Sequence, residues 1–462
     1  MSRQTRFCVD RRSFLKATAW STLASSTALH GCAQPTDSAP QPTFDADGVP
    51  ENDALFDLGV QSGLTATGVL LWTHLSTLVP LSVRVWHVDG PLVLDAQIEP
   101  SGAFVKLVVE ELESGASYGY AFVHVHETDG DVARSVVGAF RLAPEASSLE
   151  PLTLAASACT HPSRMPFVAL EETARHDFDL FCHLGDISYN DDAVDRGSYD
   201  EAWALTLGDP GYRALLPRAA FVPAIDDHEI ADNFVAADLP PDQLAAGLAA
   251  IYDHLPIDGS PGDALWTSHR WGLTAEIFVL DSRTERRRDQ DLYLSEAQLS
   301  WLIERLTSSP CHFKILLNSV PISKLPPGWP GFGDRWEAYA KQRDALLDSI
   351  LDQGIENVWF LTGDLHAGLV NRVEGSGPRS SLLEIMVGPG GPRTLNPLPT
   401  LVEQVPEQAE VYFPSDQFLY RSDELAATLL TFDPVGDTVR VRFIDPETGE
   451  ARYDELLKAG LS

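Results

Sequence analysis

Six successive apolar runs in this chain each end on chemically active side chains. Leu152–Ser157 leads into Cys159, Thr160 and His161, and Phe178–His183 into Gly185, Asp186 and Tyr189. Ala220–Ile225 leads into Asp226, Asp227, His228 and Glu229, and Thr274–Leu280 into Asp281 and Arg283. Phe313–Leu317 leads into Asn318 and Ser319, and Asn357–Leu361 into Gly363, Asp364 and His366. Helical stretches at Phe167–His176, Ser295–Thr307 and Tyr339–Gln353 stand between the runs, with a further apolar run at Leu382–Val387. This alternation predicts an α/β layered fold, closed by a hairpin-like pair at Thr428–Phe432 and Thr438–Ile444. In open α/β sheets, side chains released at the carboxyl ends of strands converge on one edge, where sites form. One aspartate there would be a turn or cap residue. Thiol, phenol, imidazole and several carboxylates on one edge call for more than capping.

Residues from about Leu55 to Pro144 follow a different rhythm. Gly68–Thr73, Leu81–Val88, Ala103–Val109, Tyr118–Val125 and Val136–Leu142 alternate apolar and polar residues, broken by Gly and Pro. This predicts a smaller all-β unit over 53–146, a fibronectin- or immunoglobulin-like sandwich, ahead of a larger unit over 150–462. His124 and His126 share one face of a strand, and two such ligands alone make no metal site.

The chain has 462 residues, with 33 Lys+Arg against 67 Asp+Glu and a formal net charge of −34. At 44% hydrophobic it is no disordered acidic tail. Such acidity repels nucleic-acid phosphates and argues against nucleic-acid binding as a main role. No apolar run reaches the ~20 residues of a membrane span. Asp10-Arg11-Arg12-Ser13-Phe14-Leu15-Lys16, followed by a mildly apolar stretch to Leu29, reads as a twin-arginine (Tat) export signal over 1–31. That implies the Tat export machinery as a partner and a periplasmic or cell-surface location. Leu29-His30-Gly31-Cys32 resembles a lipobox, in which Cys32 would carry a lipid and tether the chain to a membrane; soluble secretion is the other outcome. Residues 32–52 form a linker rich in Pro, Asp, Ser and Thr. Removing residues 1–31 takes away five basic residues and one acidic one, so the remainder is more acidic still. Cys159, Cys182 and Cys311 are read as buried free thiols, with a Cys182–Cys311 bridge as the alternative.

The residue types at the strand ends suit a dinuclear metal site. Carboxylates bridge hard cations, imidazole suits intermediate ones, and thiolate and phenolate favour softer or redox-capable ions. Thiolate, phenolate and carboxylate on one ion favour iron(III), with zinc or manganese left open. Gly185 and Gly363 are expected to let the backbone turn sharply beside its ligands.

Gly185-Asp186-x-x-Tyr189, Asp226-Asp227-His228-Glu229 and Gly363-Asp364-x-His366 resemble the calcineurin-like metallophosphoesterase superfamily, and within it the PhoD family of alkaline phosphatases and phosphodiesterases. Ser157-Ala158-Cys159, Leu280-Asp281-Ser282-Arg283, Asp334-Arg335-Trp336-Glu337-Ala338-Tyr339 and, near the front, Leu58-Gly59-Val60-Gln61-Ser62-Gly63 with Leu70-Leu71-Trp72-Thr73 are similar to further segments of that family. Gly-Asp-Ile-Ser-Tyr departs from its usual Gly-Asp-Tyr-Ile-Tyr and is closer to the purple acid phosphatase pattern. The superfamily's middle histidine ligand has no clear counterpart, with Asn318 or Ser319 in its place and His161 as a candidate extra ligand.

The resemblance implies a metallophosphoesterase layered sandwich, mixed sheets flanked by helices. It implies phosphate mono- or diester hydrolysis by a metal-activated hydroxide. Cys159, Asp186, Tyr189 and His366 would hold iron(III). Asp186 would bridge, and Asp227 and Asp364 would serve one or two divalent ions, calcium in the family pattern. His228 would act as proton donor or transition-state stabiliser, with Asp226 or Glu229 orienting its ring. Arg283 would clamp phosphate. Trp336 and Tyr339 would line the mouth, or else form helix-core aromatics. The rival readings are a phospholipase D-like diesterase on the same site and a non-catalytic surface-binding lipoprotein with a degenerate fold.

Overall fold

A computed structural model describes residues 5–8, 43–126, 128, 130–329, 331–391, 405 and 408–458. The twin-arginine segment and Cys32 lie outside the described residues. No helix among the described residues is long and apolar enough to cross a membrane.

Two mixed sheets face each other. In the first, the strands Leu152–Ser157, Leu180–Leu184 and Ala220–Ala224 run parallel at its centre. They are flanked on one side by the antiparallel Ala427–Asp433, Thr438–Ile444 and Ala451–Leu457. In the second, Ala275–Val279, Phe313–Leu317, Val358–Thr362 and Leu383–Met386 are parallel neighbours. These central strands are almost wholly buried because both faces are covered, and so they read as continuous apolar runs. Leu154, Cys182 and Leu184 of one sheet share a core with Ile277, Ile315 and Leu361 of the other. Helices Arg196–Leu207 and Pro241–His254 cover the outer face of the first sheet, and Glu296–Ser308 and Ala340–Asp352 that of the second. The result is a four-layer sandwich, helix, sheet, sheet, helix.

The expected smaller all-β unit is built from strands of two sheets, and one of these sheets continues into the catalytic sheet. Leu81–His87, Leu92–Ile98, Ser117–His126, Gly130–Arg134 and Gly138–Arg141 form their own five-stranded sheet. Val60–Leu64, Gly68–His74 and Phe104–Glu110, however, belong to the ten-stranded catalytic sheet. The join is parallel pairing of Ser62 with Ala220 and Gly63 with Phe221. One hydrophobic core runs through both segments, from Val83 and Phe122 to Leu184 and Ile315. Period-two alternation identifies strands but not the sheet each one joins. Cys159, Cys182 and Cys311 are free and buried, so the alternative bridge is absent.

Candidate metal centre

The parallel strands of both sheets deliver their carboxyl ends to one edge. The backbone there is unusual. Of nine non-glycine residues with positive φ among the described residues, four are Cys159, Asp186, Asp364 and His366. Each lies immediately past a strand, where the chain must reverse while keeping a functional side chain on the inside. Left-handed backbone costs free energy and clusters where surrounding structure imposes it for a purpose. Gly185, at φ +97, behaves as expected, and a Cβ on it would meet the Asp226 Cβ at 2.5 Å. Gly363 acts differently. Its φ is ordinary, the turn falls on Asp364, and the glycine is needed because a Cβ would meet the Ala158 Cβ at 2.7 Å.

The edge encloses a cavity of about 210 Å³ lined by Asp186, Asp227, His228, Asp232, Asn233, Gly331, Asp334, Asp364, Leu365 and His366. Cys159, Asp186 and His366 each offer a ligand atom within 4.8 Å of one another. Asp186, Asp227 and His228 form a second group by the same measure, so Asp186 belongs to both. The Tyr189 hydroxyl donates to Asp186 Oδ2 at 3.3 Å and lies 3.3 Å from His366 Nε2, at the edge of the first group. Asp364 lines the cavity but falls outside both close groups.

Electrostatics distinguishes these residues. Burial, then the charge of Asp227, raises the Asp186 carboxyl well above the usual range. Burial and then Asp226 do the same to Asp364. Burial raises the Cys159 thiol and the Tyr189 phenol well above their ordinary values, and neighbouring carboxylates add to this. His366 is pushed down to about 4, first by burial, so its imidazole is neutral and free to coordinate. Buried Asp186 Oδ1 and His366 Nδ1 have no hydrogen-bond partner. A multivalent cation would reverse all of these penalties together. The donor set therefore fits a metal.

Several expectations about neighbouring residues are corrected. Arg283 has 0% side-chain exposure and does not face the cavity. Its Nε donates to Asp226 Oδ1, its Nη1 and Nη2 grip Asp334 at 2.8 and 2.6 Å, and Nη2 lies 3.4 Å from Asp227 Oδ1. Arg286, also fully buried, pairs with Asp334 as well. No lysine or arginine lines the cavity among the described residues. Asp226 does not orient His228, because its Oδ1 accepts from Arg283 and from Ser319 Oγ. Glu229 accepts from the backbone N–H groups of Asp226 and Ile187 and so stitches two strand-end loops together. Trp336 and Tyr339 are buried against Tyr293, with Trp336 Nε1 donating to Asn318 Oδ1 at 3.1 Å. They are core aromatics, the second of the two readings. Asn318 and Ser319 are likewise engaged internally. His161 Nδ1 is taken by Ser163.

Asp191, Asp232, Asn233 and Asp334 were not singled out for the site from the sequence. Asp191 follows Tyr189 by two positions in the same loop, and Asp334 opens the Asp334–Tyr339 segment, so both carried a positional signal.

Facing mixed sheets, outer helices and carboxylates with imidazoles at the strand ends define the metallophosphoesterase fold and site. The PhoD-like phosphatase family model matches residues 154–433, and the chain belongs to that family, a family of phosphoric ester hydrolases. Alkaline phosphatase D of Bacillus subtilis (strain 168) is 27% identical over 382 residues, which cover 68% of this chain and 64% of that relative's length. A structure of PhoD superposes with a TM-score of 0.73 at 21% identity, covering 89% of this chain and 90% of that one. A purple acid phosphatase from yellow lupin (Lupinus luteus) seeds superposes with a TM-score of 0.63 at 12% identity, covering 86% and 72% respectively, a likeness of fold.

Proposed function

We propose that the chain is an exported, metal-dependent hydrolase of phosphate mono- or diesters. The observation that carries this reading is the convergence of ligand atoms from Cys159, Asp186 and His366 within 4.8 Å of one another at the strand ends, with Asp227 and Asp364 lining the same cavity. Cys159, Asp186, Tyr189 and His366 would hold iron(III), whose charge and softness suit thiolate, phenolate and carboxylate together. Asp186, Asp227 and Asp364 would hold one or two divalent ions, calcium by family resemblance. Bound there, the ions supply Lewis-acid polarisation of the phosphoryl group and lower the pKa of water toward ~7.

The chain's own residues do the rest. Asp227, pushed up by burial but held at about 2 by Arg283 and then His228, stays ionised. His228 is lowered by burial and raised more strongly by its hydrogen bond to Asp191 and by Asp186 and Asp227, to about 10. It therefore carries a proton at neutral pH and can give it to a departing ester oxygen. With no lysine or arginine in the lining among the described residues, the substrate's negative charge is left to the metal ions and protonated His228 to balance. Export through a Tat signal, and a lipid on Cys32, complete the proposal.

Metal analysis and the visible spectrum of Tat-exported protein test the assignment, with iron and a thiolate or tyrosinate charge-transfer band expected, weakened in Cys159→Ala. An iron-free, colourless and fully active preparation would sink the iron assignment. Parallel assays on nitrophenyl phosphate, its bis-ester and phosphatidylcholine separate monoesterase, diesterase and phospholipase D-like activity.

A further inference from the structure

We propose that Phe332 selects the organic part of the ester, favouring a leaving group with a flat apolar face. The inference rests on the hydrolase reading above and adds a substrate class to it.

A tight turn over residues 331–334 carries this side chain. The Gly331 carbonyl accepts from the backbone N–H of Asp334 at 2.9 Å and of Arg335 at 3.1 Å. Gly331 and Asp334, the two feet of the turn, both line the metal cavity. Phe332 and Gly333 stand at its apex, with Phe332 59% exposed. One exposed apolar side chain is ordinary on a protein surface. This one is held at the rim of a site.

The turn is anchored on both sides. Upstream, Trp329 is buried, its Nε1 donates to the Tyr412 carbonyl at 3.0 Å, and its ring stacks on Phe418 and meets Phe413 edge-on. Downstream, Asp334 is gripped by Arg283 and Arg286. Arg335, also buried, holds its guanidinium over the Phe332 ring, 5.9 Å from the centroid, and pairs with Glu337 at 3.0 Å. A Cβ placed on Gly331 or on Gly333 would meet nothing within 4 Å. The apex therefore has open space on either side while its feet are fixed. An aromatic ring between two glycines can adjust to a ligand without disturbing the residues that line the cavity.

The cavity itself leaves this task to the rim. Its lining is carboxylates, His228, His366, Asn233 and Gly331, and Leu365 is the one apolar side chain in it among the described residues. Such a lining suits ions and a phosphoryl group, and at about 210 Å³ the ester's organic part has to extend past the edge. Trp336 and Tyr339 cannot receive it, being buried against Tyr293. Phe332 offers a ring face and edge there, and a second ring gains more from both than an alkyl chain does.

Phenylphosphonate and methylphosphonate, which carry no ester bond to hydrolyse, differ only in the organic group and serve as calorimetric probes of the metal-loaded full chain. Phe332→Ala should weaken phenylphosphonate by about 3- to 10-fold relative to methylphosphonate. KM for nitrophenyl phosphate should rise by the same ratio against KM for glycerol phosphate, with the kcat ratio of the two esters held within ~2-fold. Phe332→Trp should restore the preference and Phe332→Ser should not. Metal content and thermal unfolding should match the wild type, because an exposed apex side chain supports neither. An unmoved phenyl-to-methyl ratio, equal weakening of both phosphonates, or a loss of metal or thermal stability in Phe332→Ala would each overturn the proposal. If the wild type hydrolyses both esters and the ratio does not move, the inference fails while the hydrolase reading stands. If the metal-loaded wild type hydrolyses neither ester, the hydrolase reading fails, and the phosphonate ratio still decides what Phe332 contacts.

Discussion

Asp227 and Asp186 share one cavity and nearly the same burial, yet their surroundings treat them in opposite ways. Asp227 sits beside Arg283, a fixed internal cation that also grips Asp226 and Asp334, and its carboxyl is held at about 2. No guanidinium pairs with Asp186 or Asp364 among the described residues; His228 lowers the first and Arg283 the second, but burial outweighs both and drives the two carboxyls well above the usual range. Burying an unpaired carboxylate costs several kcal/mol, so the chain keeps the arrangement only if something else neutralises it. On one side of the site a guanidinium is built into the wall. On the other, the proposed countercharge is a bound metal ion, of a kind suited to the thiol, phenol and imidazole around Asp186. On that reading the proton-hungry side is the metal side.

The largest expected effect comes from Asp186→Asn, which removes the group common to both ligand sets. kcat/KM should fall by at least about 10²- to 10³-fold, with loss of metal in parallel. Intact hydrolysis with full metal content would break the comparison at its centre. Arg283→Met should act on stability instead, costing about 3–5 kcal/mol because three buried carboxylates lose one counterion. Denaturant unfolding measures it. Excess divalent cation should restore part of that loss, since ion and guanidinium do the same electrostatic work. A variant as stable as the wild type would show that Arg283 is not the neutralising element.

Metal removal sharpens the contrast through pH. In the metal-free protein, Asp186 and Asp364 hold protons well above the unfolded value of 3.8. Asp226 at about 6 and Glu229 at about 7, both raised first by burial, act in the same sense. At these four carboxyls the native state binds more protons than the unfolded chain, a contribution to stability that is lost as pH rises from about 4 to 7. His183, His254, His269 and His366, lowered by burial to about 3 to 4, act in the opposite sense over the lower part of that window. Asp227 also opposes the four carboxyls, but its contribution is lost only as pH falls from 3.8 toward about 2. Loaded with metal, the protein should lose the part of the carboxyl contribution that comes from Asp186 and Asp364, while Asp226 and Glu229, which are engaged internally, keep theirs. Tm against pH for both forms is the measurement, and parallel profiles would count against ions at Asp186.

Most of the architecture was legible because the central strands are buried on both faces. Leu152–Ser157 and Phe313–Leu317 match their apolar runs end to end. Arg196–Leu207 and Pro241–His254 were missed. The first is weakly amphipathic and opens on the Asp195 cap with its reciprocal Ser198 contact, a signal carried by side-chain geometry more than by composition. The merger of Val60–Leu64 into the catalytic sheet was hidden because strand pairing is non-local. For the site, residue type and position past a strand anticipated that Cys159, Asp186, Asp227 and His366 gather at one strand edge. They did not distinguish a guanidinium facing substrate from one turned inward, and Arg283 was misread for that reason. Nor did they show that Asp191, not Asp226, meets the His228 ring.

The smallest effect is expected at Trp336, and it separates the wall of the site from its contents. Trp336 is fully buried, stacks near Tyr293 at 4.3 Å and donates to Asn318. Asn318 in turn donates to the Val320 carbonyl, at the end of a strand beside the one that leads to Asp364. Trp336→Phe keeps an aromatic ring but leaves the Asn318 oxygen without that donor, at a cost of about 1–3 kcal/mol in stability. It should leave KM for aryl and alkyl esters within ~2-fold of each other's change, because a side chain that never reaches the cavity cannot tell the two apart. A KM rise confined to aryl esters, with stability intact, would place the indole against the substrate and contradict the burial that makes it a core residue.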